Sequence, residues 1–151
     1  MKKNKILIAS DHAGRSEKLK VLKVLYQLEL PFEDLSPKNV KTDDYPDFAE
    51  KVGKQVVGYK DTIGILLCGT GIGISIAANK IKGVRAALCH SKKEAKLARK
   101  DNNANVLVLP GKYSDVKAND VKGIIKAFYS TKFESGRHKR RINKISKLER
   151  K

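Results

Sequence analysis

The chain has 151 residues and a formal net charge of +17, from 33 lysines and arginines against 16 acidic residues. This length suits a single domain with a substantial core, and two cysteines without a signal-peptide pattern exclude a disulfide scaffold and predict the reducing cytoplasm. No apolar run approaches membrane-spanning length, so we expect no membrane anchor and no membrane partner.

The positive charge is concentrated in two segments. Residues 137–151 hold eight lysines and arginines against one acid, and residues 92–100 hold five against one. A surplus of this size raises the question of a nucleic-acid partner. Because neither segment contains an aromatic residue that would stack on bases, the pattern argues against nucleic acid and favours a solvated basic surface.

In the first half of the chain, two strands and two helices are predicted. A short apolar strand at 5–9 leads through a polar turn to a helix at about 15–29, which Pro31 ends before an edge strand at 32–35. Residues 36–47 contain two prolines and no apolar period, so they predict a loop. The buried face of the first helix is assigned to Leu19, Leu22, Leu25, Tyr26 and Leu28, and that of the second to Phe48, Val52, Val56 and Val57.

The second half repeats the alternation three times. Strands are predicted at 63–67, 84–88 and 105–109, Ser91 is predicted to cap a basic helix that runs to about residue 100, and a last core helix runs from Ser114 or Asp115 to about residue 129. Five strands alternating with helices, joined by right-handed crossovers, predict an α/β fold. We expect a three-layer α/β/α sandwich around a five-stranded parallel, Rossmann-like sheet.

The segment 68–73, Cys-Gly-Thr-Gly-Ile-Gly, is where chemistry is predicted. Alternating glycines let the backbone approach a ligand closely, and the N–H groups that open the next helix favour negative charge. Cys68 at the start of this loop is therefore a candidate base or nucleophile, against the alternative of a small buried hydrophobe. A dinucleotide site is disfavoured because its fingerprint requires glycine where Ile74 stands.

Other polar residues follow the ends of predicted parallel strands, where ligands bind in α/β folds. This rule collects Asp11 and His12, the loop at 68–73, Cys89 with His90, and Lys112 on one rim of the sheet.

The tail after residue 133 differs from the rest of the chain. Ser135-Gly136 is predicted to break the preceding helix, and Ile142, Ile145 and Leu148 then recur every three residues in a basic segment. Such a narrow apolar stripe does not hold a lone helix in water, so the arm must lie on the chain's own body or on a second subunit. We favour a single domain at 1–133 with an arm at 134–151 packed on a partner subunit, so that Arg137, His138 and Arg141 reach across a two-fold interface.

Several motifs in this order resemble one enzyme family. They are Ser10-Asp11-His12-Ala13-Gly14, Asp44-Tyr45-Pro46-Asp47-Phe48-Ala49, the block from Cys68 to Lys80, Asn102-Asn103-Ala104-Asn105-Val106-Leu107, and Ser135-Gly136-Arg137-His138. The chain resembles type B ribose-5-phosphate isomerases, whose family includes galactose-6-phosphate and allose-6-phosphate isomerases, over residues 5–145. The resemblance implies an aldose–ketose isomerase of the pentose phosphate pathway that needs no cofactor and no metal. It also implies a homodimer or higher homo-oligomer with active sites at the subunit interface.

The resemblance further implies a role for each matching residue. Cys68 is the catalytic residue, and Gly69, Thr70, Gly71, Ile72 and Gly73 cradle the enediolate. Asp11 and His12 touch the sugar, and Tyr45 and Asn102 line the pocket. Arg137 and Arg141 bind the phosphate, and His138 is a further substrate-binding residue. Two positions depart from the family, since Asp101 replaces a ring-opening histidine and Lys112 replaces an arginine. We expect His12 to carry or share ring opening, and Asp101 to position hydroxyls or accept one proton.

The chemistry implied by this reading agrees with the loop. The Cys68 thiolate would move a proton from C2 to C1, the loop amides would hold the oxyanion, and Thr70 would help to move hydroxyl protons. The leading hypothesis is interconversion of ribose 5-phosphate and ribulose 5-phosphate. The alternatives are a six-carbon sugar phosphate as substrate, a non-catalytic sugar-phosphate-binding module, and a nucleic-acid-binding protein built on the basic tail.

Overall fold

The computed structural model of the chain describes residues 4–114 and 120–150, which form five strands and six helices. In chain order these are β1 (Lys5–Ser10), α1 (Arg15–Gln27), β2 (Phe32–Asp34), α2 (Tyr45–Gly58), β3 (Thr62–Cys68), α3 (Ile72–Ala78), β4 (Ala86–Leu88), α4 (Lys92–Asn102), β5 (Val106–Pro110), α5 (Val121–Ser130) and α6 (Arg137–Leu148). In the described ranges, no helix is long and apolar enough to cross a membrane.

All five strands join one sheet in the order β2-β1-β3-β5-β4, and every neighbouring pair is parallel. The connection from β1 runs outward to β2, whereas the next one returns across β1 to β3. The order in which strands are added to the sheet therefore reverses between β1 and β3. In such sheets, ligands bind at the carboxyl ends of the strands at this point. The predicted α/β/α sandwich with a five-stranded parallel sheet is confirmed.

The sheet is covered on both faces because its central strands are apolar on both sides. One core cluster packs α1, α4 and α5 against residues such as Ile8, Ile65 and Leu107. The other packs α2 and α3 against Leu7, Leu66 and Cys68. The side chain of Cys68 thus belongs to the face that α2 and α3 cover.

The structure corrects several details of the first two helices. Leu19 and Tyr26 are 46% and 81% exposed, and α1 instead buries Lys18, Val21 and Leu25. The predicted loop at 36–47 ends early, because α2 begins at Tyr45 with Pro46 in its first turn, a position where the missing N–H costs nothing. Val57 is 45% exposed and does not belong to the core.

The last two helices also differ in part from prediction. Ser91 caps α4 in a capping box with Glu94, as predicted. Helix α5 is described from Val121. Of the two predicted starts, Ser114 is not helical and Asp115 lies outside the described residues, as does Lys151 of the arm. Helix α5 ends at Ser130, close to the predicted residue 129, so it ends before Ser135-Gly136. These two residues have positive φ and immediately precede α6, which they separate from α5.

Lys18 is the largest departure from the expected apolar core, since it is only 1% exposed. Its ammonium donates to Asp34 Oδ1 and Oδ2 at 2.9 Å, and to Ser36 Oγ at 3.0 Å. The Ser36 hydroxyl in turn accepts a hydrogen bond from the backbone N–H of Ser10. Lys18 therefore ties α1 to the end of β2 and to the last residue of β1.

We predict that Lys18→Met lowers the free energy of unfolding by about 3 kcal/mol, because it leaves the buried partners of the ammonium unpaired. Lys20→Met on the same helix is the control, since Lys20 pairs with Glu17 while 67% exposed and such pairs contribute little. Urea denaturation of both variants measures the difference. Equal midpoints would show that the Lys18 network adds no stability.

Candidate active site

Cys68 ends β3 and begins the glycine loop. Its residue is 4% exposed, and the backbone N–H of Gly71 donates to its sulfur at 3.2 Å. This hydrogen bond fixes the position of the sulfur within the loop. Thr70 Oγ1 accepts from the N–H of Ile72 at 3.2 Å, which holds its hydroxyl in the same loop. A thiol and a hydroxyl therefore lie on one short turn between β3 and α3.

Two aromatic rings explain why this loop carries glycines. A Cβ on Gly73 would lie 2.6 Å from Tyr45 Cζ, and a Cβ on Gly69 would collide with the ring of Tyr113. Gly71 has a φ of +81°, a conformation that other residues rarely adopt. Tyr45 therefore lies over the loop, as expected of a pocket residue. Tyr113 was missed by the sequence analysis, where only the neighbouring Lys112 was considered.

Asp11 lies beside this loop because β1 pairs with β3. Its backbone N–H donates to the carbonyl of Leu67 at 3.3 Å, and its Oδ1 accepts from the N–H of Gly14 at 2.9 Å. Asp11 is 6% exposed, and burial raises the pKa of its carboxyl group while the Gly14 hydrogen bond opposes that rise. Asp11 thus shapes the turn that carries His12.

His12 is held by a residue that the sequence analysis did not identify. Asp43 Oδ1 lies 2.8 Å from both the backbone nitrogen and Nδ1 of His12. The other oxygen of Asp43 accepts from Asn39 Nδ2 at 2.8 Å and from the N–H of Val40 at 3.2 Å. The hydrogen bond to Asp43 raises the pKa of His12. No local pattern signals this pair, because 31 residues separate its members.

The remaining residues predicted on this rim lie in different surroundings. Cys89 is 1% exposed in the core cluster on the opposite face of the sheet from Cys68, and burial raises the pKa of its thiol to about 12. His90 Nδ1 lies 3.9 Å from Glu94 Oε2 at the edge strand. The ammonium of Lys112 lies 4.6 Å from the centre of the Tyr113 ring, which packs on Gly69. Of these three residues, the structure brings Lys112 to the glycine loop.

Asp101 and Asn102 lie at the end of the sheet where the parallel strands begin, which we call the amino edge. Cys68 lies at the carboxyl edge, where the strands end. Helix α4 leaves the carboxyl end of β4 and returns to the amino end of β5, so its last residues are a strand length away from Cys68. The carbonyl of Asn102 accepts from Arg85 Nε at 3.2 Å, and Arg85 immediately precedes β4. These two predicted site residues are therefore separated from Cys68 within one subunit.

The first turn of α6 lies with Asp101 at that same amino edge. His138 is 6% exposed, and its Nε2 lies 3.5 Å from Asp101 Oδ1 and 3.5 Å from Arg137 Nε. Arg137 and Arg141 are exposed. Asp101, His138 and Glu134 each bring a possible metal-ligand atom to within 4.8 Å of one another, and Lys100 pairs with Glu134 at 2.9 Å. The predicted site residues therefore form two groups at opposite edges.

The rest of α6 lies partly on the body of its own subunit. Glu149 Oε1 accepts from the N–H of Gly83 at 2.9 Å. Ile145 and Leu148 remain 41% and 66% exposed, and they line a cleft of about 660 Å³ together with Arg85. Asn102 belongs to the same cleft. The arm therefore contacts its own subunit and still presents apolar side chains at the amino edge.

Comparisons with known proteins agree on one family. A family model described as Ribose/Galactose Isomerase matches residues 6–145. A probable ribose-5-phosphate isomerase B of Mycoplasma genitalium is 46% identical over 147 residues, covering 96% of this chain and 95% of the relative. A crystal structure of a ribose 5-phosphate isomerase from Thermotoga maritima aligns with a TM-score of 0.88 at 47% identity, covering 95% of this chain and 98% of that one.

A second solved structure adds a ligand. The ribose-5-phosphate isomerase B of Mycoplasma genitalium, with bound ribulose-5-phosphate, aligns with a TM-score of 0.87 at 42% identity, and 97% of each chain is covered. These comparisons confirm the family resemblance predicted from the sequence.

Proposed function

The chain belongs to the ribose/galactose isomerase family, and from this premise we propose that it is a sugar-phosphate isomerase that interconverts ribose 5-phosphate and ribulose 5-phosphate. The observation that carries the proposal is the loop at 68–73, where the sulfur of Cys68 accepts a backbone hydrogen bond beside the hydroxyl of Thr70. A sulfur held in this way is suited to take a proton from carbon. A protein that only binds sugar phosphates has no need of a thiol at this position.

The reaction follows from these groups in two proton transfers. The Cys68 thiolate takes the proton from C2 of the open-chain aldose, the electron pair forms the C1=C2 bond, and O1 becomes an oxyanion that the loop N–H groups hold. The thiol then gives its proton to C1 while the C2 hydroxyl proton passes to O1 with the help of Thr70. The product is the 2-ketose, and the enzyme returns to its starting state.

The phosphate and pocket groups come from a second copy of the chain. Asn102, Arg137 and Arg141 lie at the amino edge, too far along the sheet to meet Cys68 of the same subunit. A two-fold pairing that sets the amino edge of one subunit on the carboxyl edge of its partner completes two identical sites. The exposed Ile145 and Leu148 supply apolar area for this contact. We therefore infer a homodimer with shared sites and an arm that packs at the interface.

A direct assay tests the proposed function. We expect the purified chain to interconvert ribose 5-phosphate and ribulose 5-phosphate without added metal or cofactor, and to do so unchanged in the presence of EDTA. Galactose 6-phosphate and allose 6-phosphate serve as the six-carbon substrates for comparison. A higher kcat/KM for either of them would move the proposal to that substrate, and no turnover of any of the three would refute it.

The cellular setting of this proposal is the cytoplasm. Both cysteines are free thiols, which is usual where the environment is reducing.

A further inference from the structure

The ring-opening step requires a group that accepts a proton and then donates it, and the sequence alone gave only an expectation that His12 is that group. Ribose 5-phosphate is mainly a closed furanose in water, so the aldehyde must be released before Cys68 can act on C2. The resemblance described above implies a ring-opening histidine at the position where this chain has Asp101. Within one subunit, Asp101 also lies at the opposite end of the sheet from Cys68.

Resting on the proposed function, we infer that Asp43 is a positioning residue that makes His12 the acid–base group for ring opening. Of the three histidines in the sequence, only His12 follows a strand that neighbours β3, the strand that carries Cys68. His90 follows β4, which β5 separates from β3, and His138 lies in α6 at the amino edge. Within one subunit, the strand order therefore places His12 nearest to Cys68.

The contacts of Asp43 determine which ring nitrogen acts. A carboxylate only accepts, so Nδ1 of His12 must carry the hydrogen in its 2.8 Å contact with Asp43 Oδ1. Nε2 is then the nitrogen left to act on a substrate, and the His12 side chain is 38% exposed. Asp43 is itself fixed, since Oδ2 accepts from Asn39 and Val40 and its side chain is 11% exposed. In many active sites, a carboxylate likewise holds a catalytic histidine in one orientation and one tautomer.

Nε2 alone can carry out both proton transfers of ring opening. Neutral Nε2 takes the proton of the C1 hydroxyl as the bond from C1 to the ring oxygen breaks and the C1=O1 bond forms. The same proton then passes from Nε2 to the ring oxygen, which becomes the C4 hydroxyl. Asp43 stabilises the imidazolium that exists between the two transfers, and Asp11 adds to the negative charge near it.

His138 is the competing candidate because it pairs with Asp101. Its side chain is 7% exposed, and the nitrogen that faces Asp101 also faces Arg137 Nε. A ring that is buried and contacted on one nitrogen by both an acid and a guanidinium is suited to anchoring α6. His12 is the more accessible ring.

The test separates ring opening from proton transfer at carbon. Ribulose 5-phosphate cannot close a five-membered ring, because its carbonyl is at C2 and its C5 oxygen carries the phosphate. The rate at which its C1 proton exchanges with deuterium from D2O, monitored by proton NMR, therefore measures the Cys68 step without ring opening. We expect Asp43→Asn to lower kcat for ribose 5-phosphate about tenfold or more, within the range of general acid–base catalysis, while exchange stays within about twofold of wild type.

A second variant and a control keep the test decisive. His12→Asn, whose side-chain amide can still donate to Asp43, should show the same selective loss even if Asp43→Asn fails to fold. Asp47→Asn is the control, because it removes an exposed carboxylate from the first turn of α2, four residues after Asp43. It should change neither the isomerisation rate nor the exchange rate. NMR titration should show the pKa of His12 falling in Asp43→Asn, since Asp43 is what raises it.

Three results would overturn the inference. These are equal losses in isomerisation and exchange, no loss in either, or a selective loss of isomerisation in Asp101→Asn or His138→Asn with His12→Asn near wild type. A wild-type chain that neither isomerises ribose 5-phosphate nor exchanges the C1 proton of ribulose 5-phosphate would refute the proposed function itself.

Discussion

Cys68→Ser is expected to lower kcat for ribose 5-phosphate by on the order of a hundredfold or more, with KM nearly unchanged. A serine hydroxyl is too weak an acid to ionise in the same position, so the variant keeps the shape of the loop and loses the base. The hydrogen bond that Gly71 donates to sulfur can still be made to oxygen, which preserves the loop. Steady-state kinetics in both directions measure the effect.

Cys89→Ala is the matched control for this experiment. Cys89 is the second cysteine of the chain, but it lies in the core on the opposite face of the sheet, and burial raises the pKa of its thiol to about 12. We expect its kcat to stay within about twofold of wild type. A Cys68→Ser variant with wild-type kcat would refute the role of Cys68 as the base.

Arg137→Ala and Arg141→Ala are each expected to raise KM for ribose 5-phosphate about tenfold to a hundredfold. The two side chains are four residues apart, so they lie on one face of α6, and a charge-assisted hydrogen bond to phosphate contributes about 1.5–3 kcal/mol. The kinetic constants for free ribose should change little, because that sugar has no phosphate. Lys139→Ala, on the other side of α6, is the control.

A mixing experiment shows whether these arginines act in the partner's site. Cys68→Ser and Arg137→Ala subunits are unfolded together and refolded as an equal mixture. The mixture is assayed with ribose 5-phosphate well below the wild-type KM, where Arg137→Ala dimers turn over little. If each site takes Cys68 from one subunit and Arg137 from the other, a mixed dimer has one intact site, and about a quarter of wild-type activity returns. If both residues act within one subunit, mixing restores nothing. Equal losses of phosphorylated and free sugar in the single variants would instead assign the arginines a structural role.

Local patterns were enough to predict much of the fold. The apolar strands and their alternation with helices were correct because strand and helix periods are encoded within a few residues. The cap at Ser91 was correct for the same reason, since the capping box joins residues three positions apart. The loop at 68–73 was also visible in the sequence, because glycines spaced by two mark a backbone that a ligand can approach. The sequence by itself therefore determined the α/β class, and it identified the loop at 68–73 as the candidate site.

Predictions of helix faces and helix ends were wrong where the packing of the folded chain differed from the local sequence pattern. Tyr26 and Leu19 fit an amphipathic pattern, yet α1 packs through Lys18, Val21 and Leu25. The ammonium of Lys18 is tolerated in the interior because Asp34 and Ser36 satisfy its hydrogen bonds. Tyr45 was assigned to a loop because prolines usually interrupt helices, whereas Pro46 stands in the first turn of α2.

Only the tertiary structure decided which site residues lie together. Asp43 pairs with His12 across 31 residues, and this contact depends on how the loop after β2 folds back over the end of β1. Asp101 and Arg137 lie at the opposite edge from Cys68, because a helix that connects parallel strands must return to the amino end of the sheet. The sequence predicts which residues follow the ends of strands, but it does not give the distances between them. They are determined by strand order and crossover direction, which depend on the packing of the whole sheet.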